Sequence, residues 1–211
     1  ANTIMKIIVI SDEALKTELL AQGVSSTEEI VWLSLPEKVT GATCYLDLLF
    51  DYTEERINIL QEITSGLTIV NSVNKTCNYL PKNFIRINGW PTFLNRPLIE
   101  AACINETLKA ETETIFSFFN KSLEWVPDIL GFISPRVISM IINEAFFTLQ
   151  DKVTGKDEID IAMKLGTRYP FGPFEWSEKI GIKEIYSLLS KLSTTHKRYE
   201  PSELLKQEAA K

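Results

Sequence analysis

The chain has 211 residues, of which 45% are apolar and 24% charged, and its formal net charge is −6. That is enough chain for one good-sized domain or two small ones with real cores, and no block of Lys and Arg offers the basic face of a nucleic-acid binder. No apolar run approaches the ~18 residues of a membrane span, and the three cysteines, Cys44, Cys77 and Cys103, are too widely spaced for a disulfide framework, so a cytoplasmic protein is expected.

In chain order, an apolar run over residues 5–10 predicts a buried strand, and residues 12–22 a helix ending at Gly23. Strands are expected at 29–33 and 44–50, a helix at 53–63 with Ile57, Leu60 and Ile63 on one face, and a strand at 67–73. Two more strands are expected at 83–90 and 97–103, then a helix at 105–122 and an edge strand at 123–128. Strands alternating with helices at short spacing predict βαβ units and a mostly parallel sheet. From Ile129 onward the pattern is helical. Residues 134–152 are apolar nearly all round, which predicts burial on every side and hence a partner surface. Thr154 and Asp157 fit a capping box for a helix that stops at Gly166, and helices are expected at 182–193 and 201–209. The domain boundary is expected near residues 126–131.

The first strand–turn–helix has the outline of a dinucleotide-binding unit without its glycines. Ser11, Glu13 and Lys16 stand where a GxGxxG turn would place Gly. Asp12 and Glu13 at the helix start satisfy its dipole themselves and would repel a pyrophosphate. The second strand ends "VWLSLP", with no acid for a ribose before Glu37. No CxxC or Cys/His cluster suggests a metal, and the one histidine, His196, lies in a polar stretch that reads as surface.

The string "DEIDIAMKLGTRYPFGPFEWSEKIG" (157–181) resembles the C-terminal domain of the 3-hydroxyacyl-CoA dehydrogenase family, whose form is IDxAMKLGxxYPxGPFE. "PDILGFISPRVISMIINEA" (127–145) resembles that family's TPGFIxNR helix, and "FIRINGWPTFLNRPLIEAA" (84–102) its GLHFFNPxPxMxLVE segment. The resemblance covers roughly residues 68–190. It implies NAD-dependent oxidation of the 3-hydroxyl of acyl-CoA thioesters. A histidine takes the hydroxyl proton, a glutamate twelve residues later orients it, and a serine and an asparagine hold the substrate oxygen. It also implies a dimer built by the helical domain.

Carried over residue by residue, Glu100 stands at the glutamate position, twelve residues after Asn88, which replaces the histidine. Asparagine can hydrogen-bond but cannot accept a proton near neutral pH. Pro135 occupies the substrate-binding asparagine position, and Ser72 or Asn74 is the counterpart of the serine. The helical CoA-binding arm after the second strand is reduced to residues 34–43. "YPFGPFEW" reads as a packed turn or as a pocket wall. Glu100 is either a remnant held by Arg86 or Arg96 or a surviving catalytic group.

The expected architecture is therefore α/β: a shortened Rossmann-like, mostly parallel sheet over residues 1–128, then an all-helical dimerisation domain over residues 129–211. No cofactor is expected, or NAD if the family activity survives. The expected function is a homodimer that binds a partner or a small acyl or acyl-CoA-like ligand in a cleft between residues 88–100 and 131–136, with no nucleic acid and no membrane involved. The alternative is a working NAD-dependent dehydrogenase of fatty-acid metabolism with an altered site.

Overall fold

The computed structural model describes residues 5–25 and 29–211. It divides into two units, the first ending at Phe132 and the second spanning Ile133–Lys211. No helix of the described residues is long and apolar enough to cross a membrane.

The first unit is a sheet of β1 (Lys6–Ile10), β2 (Glu29–Leu33), β3 (Cys44–Asp47), β4 (Leu67–Asn71), β5 (Phe84–Ile87), β6 (Leu98–Ala102) and β7 (Ser122–Trp125). Their order is β2-β1-β3-β4-β5-β6-β7. The strands pair in parallel except β5 with β6, where Arg86 faces Ala102 and Ile87 faces Ala101. β1 lies between β2 and β3, so the strand order reverses there, which is where open α/β sheets bind ligands.

Both faces of the sheet are buried, which is why its strands read as continuous apolar runs. One face carries Ile7, Val9, Leu46, Ile69, Ile85 and Ile87 against α1 (Glu13–Leu19) and α3 (Lys109–Phe118). The other packs Ile8, Ile10, Tyr45 and Val70 against Leu60 of α2 (Glu54–Ile63). Asp12 and Thr53 cap α1 and α2, accepting from Leu15 N at 2.8 Å and Arg56 N at 3.1 Å.

Strand ends differ from the sequence expectation for local reasons. β3 stops at Asp47 rather than residue 50 because the Asp47 carboxylate accepts from Leu49 N at 3.0 Å, an Asx turn that bends the chain out of the sheet. α3 stops at Phe118, not 122, because Asn120 adopts a left-handed φ of 53° and the next residues join β7. Lys121 is 4% exposed, and its ammonium donates to Leu94 O at 2.5 Å and Arg96 O at 2.9 Å, holding the 91–97 turn. Burial pushes its pKa down to about 8.

The second unit comprises α4 (Ser134–Gln150), α5 (Lys156–Thr167), α6 (Pro173–Ile180), α7 (Ile182–Ser193) and α8 (Glu203–Ala209). α4 is the central helix, but within the unit it is not buried on every side. It buries Ile138, Ile142, Ala145 and Phe146 and leaves Val137 53% exposed. The expected capping box of Thr154 and Asp157 is absent. Gly155 is the N-cap of α5 and makes no side-chain bond, and Glu158 folds back over it. α5 also runs past Gly166 to Thr167, ending where Arg168 turns left-handed at φ 57°. The "GPFEW" stretch, expected as a turn, opens α6, with Gly172 as N-cap and Pro173 as the first helical residue.

Candidate active site

The site is built on the carboxyl ends of β4 and β5 and on Glu100, the middle residue of antiparallel β6. Asn88 follows β5 and is 2% exposed. Its backbone N–H donates to Glu100 O at 2.9 Å, which extends the antiparallel pairing and brings the two side chains together. The Asn88 Nδ2 donates to Glu100 Oε2 at 2.9 Å, and Asn88 Oδ1 accepts from Trp90 N at 3.4 Å. The amide is thereby fixed with its nitrogen toward the carboxylate. The twelve-residue spacing read in the sequence is thus a physical pair. What it holds is an amide and a carboxylate, and the amide cannot take up a proton near neutral pH.

Ser72, fully buried, sits next to this pair: its backbone N–H donates to Ile87 O at 3.2 Å. Its hydroxyl donates to Lys75 O at 3.0 Å, so that proton is spent inside its own loop. Asn74, 2% exposed, lies further round the same turn. Asn71, the last residue of β4, stitches three strand ends. Its Nδ2 donates to Leu48 O at 3.4 Å and its Oδ1 accepts from Gly89 N at 3.0 Å. A side chain at Gly89 would meet Asn71 at 2.8 Å, so this approach requires glycine.

Sequence reasoning missed the largest polar cluster here. Arg86 in β5 has a fully buried side chain. Its Nε pairs with Asp128 Oδ1 at 2.6 Å, Nη1 donates to Ser72 O at 3.0 Å and Nη2 to Ile129 O at 2.7 Å. The guanidinium lies 4.0 Å from the ring centroid of Phe132. Asp128 also accepts from Cys77 N at 2.9 Å. Arg86 therefore holds the 128–132 segment rather than Glu100, and Arg96 lies over the Phe93 ring at 4.7 Å. The signal available was an arginine inside an apolar strand, "FIRIN", which has to find a buried acid.

At the reversal of strand order, the β1–α1 turn is closed by its own groups. Ser11 N donates to Leu33 O at 2.9 Å, and Asp12 caps the helix. Glu13, in the first turn, points into solvent with a side chain 90% exposed. Lys16 sits 5.1 Å from the Trp32 ring centroid. At the end of β3, Asp47 is fully buried and accepts from Arg56 at 2.7 Å and 3.0 Å. Residues 34–43 form a loop without a helix, pinned where the Tyr45 hydroxyl accepts from Val39 N at 2.9 Å and donates to Glu37 O at 3.1 Å.

The three thiols are free, and burial pushes those of Cys44 and Cys77 up to about 12, which makes them poor nucleophiles. His196 is exposed, as expected of a surface residue.

In the second unit Pro135 is buried in the first turn of α4 and offers no hydrogen-bond donor. The "IDIAMKLGTRYPFGPFE" motif is a helix cap. Asp160, 8% exposed, accepts from Phe174 N at 2.8 Å and Glu175 N at 3.1 Å. Burial pushes its carboxyl up while those two N–H bonds oppose the shift. Glu175 accepts from Gly172 N at 2.9 Å and from Lys164, and the Lys164 bond holds its carboxyl below the ordinary range. Tyr169 and Phe171 pack on Trp176 with centroids 5.6 Å and 5.9 Å away, and Phe146 packs on Phe174 at 5.0 Å.

A profile of the 3-hydroxyacyl-CoA dehydrogenase C-terminal domain matches residues 131–211. The chain is 40% identical over 91 residues to 3-hydroxyadipyl-CoA dehydrogenase of Escherichia coli, spanning 42% of this chain and 19% of that protein. It is 31% identical over 150 residues to 3-hydroxybutyryl-CoA dehydrogenase of Clostridioides difficile, spanning 69% of this chain and 52% of that protein. The chain thus covers about half the length of the 3-hydroxybutyryl-CoA dehydrogenases it matches. The fold is also that of the (S)-3-hydroxybutyryl-CoA dehydrogenase of Ralstonia eutropha, with TM-score 0.75 and 17% identity, over 99% of this chain and 94% of that one. Residues 131–211 thus match the C-terminal domain of the 3-hydroxyacyl-CoA dehydrogenase family, the sequence upstream is similar to 3-hydroxybutyryl-CoA dehydrogenases, and the fold is one the chain shares with a solved structure of such an enzyme.

Proposed function

We propose that the chain keeps the family's architecture without its NAD-dependent oxidation, and acts as a homodimer that binds a small acyl or acyl-CoA-like ligand or a protein partner. The observation that carries this reading is the Asn88–Glu100 pair, in which an amide holds the place of the base at 2.9 Å from the retained carboxylate. Loss of a general base alone costs roughly 10²–10⁴-fold in rate. The β1–α1 turn supports the same reading. With Asp12 and Glu13 at the helix start and no glycine to admit a pyrophosphate, its residues do not fit a dinucleotide. Pro135 and the short 34–43 loop add to this, since neither offers a helical arm or a side-chain donor for substrate. The acyl-CoA class of ligand follows from the names of the relatives, which act on 3-hydroxybutyryl-CoA and 3-hydroxyadipyl-CoA.

One observation favours a second reading, a dehydrogenase with an altered site: Glu100 is still held beside residue 88 as an ordered carboxylate. Turnover separates the two. Mixed with acetoacetyl-CoA and NADH, the protein is expected to oxidise no NADH above the blank. Turnover that disappears in Glu100→Gln would establish the second reading instead.

The dimer is supported by the second unit. A groove of about 340 Å³ between α4 and α5 is lined by Ile141, Ala145, Ile159, Ala162 and Met163. On the same two helices Val137, Ile161 and Leu165 are 53%, 52% and 79% exposed. Sedimentation is expected to give twice the chain mass, and replacing Leu165 with Glu is expected to give the monomer. A wild-type monomer at micromolar concentration would overturn the dimer.

A further inference from the structure

We propose that Asn71 protects Asn88 from conversion to a carboxylate by engaging the backbone N–H of Gly89. Asn88–Gly89 is the one Asn-Gly pair in the chain. In such a pair the glycine nitrogen, once it has given up its proton, attacks the asparagine Cγ. A Cγ–N bond forms, the Cγ–Nδ2 bond breaks, and ammonia leaves with a proton. Water then opens the cyclic imide to aspartate or isoaspartate. The sum is an amide and a water giving a carboxylate and an ammonium ion. Glycine favours the attack because it has no side chain to hinder it and the widest backbone freedom.

Glycine at 89 is required by space. A side chain there would meet Asn71 Cγ at 2.8 Å and Cβ at 2.9 Å. The close approach that demands the labile pair also supplies its restraint, because Gly89 N donates to Asn71 Oδ1 at 3.0 Å. Asn71 is fixed in turn as the last residue of β4, with its Nδ2 donating to Leu48 O at 3.4 Å. The amide under attack is restrained too. Asn88 Nδ2 donates to Glu100 Oε2 at 2.9 Å, Asn88 Oδ1 accepts from Trp90 N at 3.4 Å, and Asn88 N donates to Glu100 O at 2.9 Å. Both residues of the pair are buried. For attack, the Gly89 nitrogen has to shed a hydrogen-bonded proton and turn onto Cγ, which breaks the bond to Asn71. A buried, bonded backbone N–H loses its proton only when its segment opens.

What is protected is the chemistry of residue 88. An aspartate there would lie beside Glu100, and two carboxylates so close share a proton, which raises the pKa of one. Residue 88 would then hold a group able to take up a proton, which the amide cannot do. The protection holds with or without NAD-dependent turnover.

The test is incubation of the full chain at neutral pH, then digestion and mass spectrometry of the peptide that carries residue 88. Conversion in the folded chain is expected to be slower than in urea by on the order of 100-fold or more. Asn71→Ala is expected to speed it by ~10-fold, the weight of one hydrogen bond. Asn71→Asp keeps an acceptor for Gly89 N and is expected to stay slow. Leu60→Ala opens a cavity in the core of the same unit and controls for lost global stability; it is expected to leave the rate unchanged. Hydrogen exchange at Gly89 N reads the same restraint without a variant, and slow exchange is expected. Conversion in the folded chain as fast as in urea, or fast exchange at Gly89, would overturn the proposal. So would equal rates in Asn71→Ala and Asn71→Asp, or equal acceleration in Leu60→Ala, because the acceptor on Asn71 would then not be the protection.

Discussion

Replacing Arg86 with methionine is expected to destabilise the first unit by about 3 kcal/mol, the lower end of what breaking a buried ion pair costs. The side chain is fully buried and makes three polar contacts, to Asp128, Ser72 O and Ile129 O. Methionine fills much of the volume and can stay over Phe132, so most of the loss is electrostatic. Asp128 would keep the Cys77 N–H, and the buried Ser72 carbonyl and the part-buried Ile129 carbonyl would lose their donor. The lower end is chosen because the Asp128 side chain is 18% exposed and water recovers part of the cost. Urea unfolding followed by fluorescence gives the number. Asp128→Asn in the Arg86→Met background removes the stranded charge and is expected to recover part of the loss. A change below about 1 kcal/mol for Arg86→Met would show that the cluster does not hold the 128–132 segment.

Gly172→Ala is expected to be equally damaging for a different reason. The backbone there is ordinary, with φ −73°, so any residue could adopt it. The obstacle is space: an added Cβ would lie 2.3 Å from Asp160 Cβ, Cγ and Oδ1. Asp160 would have to swing away and abandon the N–H groups of Phe174 and Glu175, leaving the start of α6 uncapped. Overpacking of this kind costs about 1–3 kcal/mol and loss of a helix cap about 1 more. Gly155→Ala is the control. There the added carbon meets only the Glu158 carboxyl group, Oε2 at 2.7 Å and Cδ at 3.7 Å, the far end of a flexible side chain. It is expected to cost less than ~0.5 kcal/mol. Equal melting temperatures for the two variants would contradict the capping account of the motif.

The sheet was legible because strands buried on both faces leave long apolar runs, as Ile7–Ile10 and Leu67–Val70 do. Helix starts were legible where a side chain does the capping, as at Asp12 and Thr53. They were illegible where a tertiary partner does it. α6 was read as a turn because its cap, Asp160, lies in the preceding helix, and nothing in "YPFGPFEW" alone announces a helix. The Asn88–Glu100 pair was found through the resemblance, which gives the two positions a twelve-residue spacing, and antiparallel pairing of β5 and β6 brings them together. Arg86 was read as a possible partner of Glu100 because both fall in one motif. Its true acid, Asp128, is brought to it only by the path of the chain beyond β7.

The retained motifs and the altered ones divide by their physical role. Asp160, Gly172 and Glu175 hold a helix junction together. Residue 88, residue 135 and the β1–α1 turn sit at the positions that the resemblance gives to proton transfer, substrate and dinucleotide.

The most direct test of the central claim is NADH titration followed by cofactor fluorescence. No saturable change is expected, either for the chain as it stands or for Asn88→His, because restoring a base does not open the β1–α1 turn to a pyrophosphate. Saturable NADH binding by the unaltered chain, together with acetoacetyl-CoA-dependent oxidation that Glu100→Gln abolishes, would contradict the account.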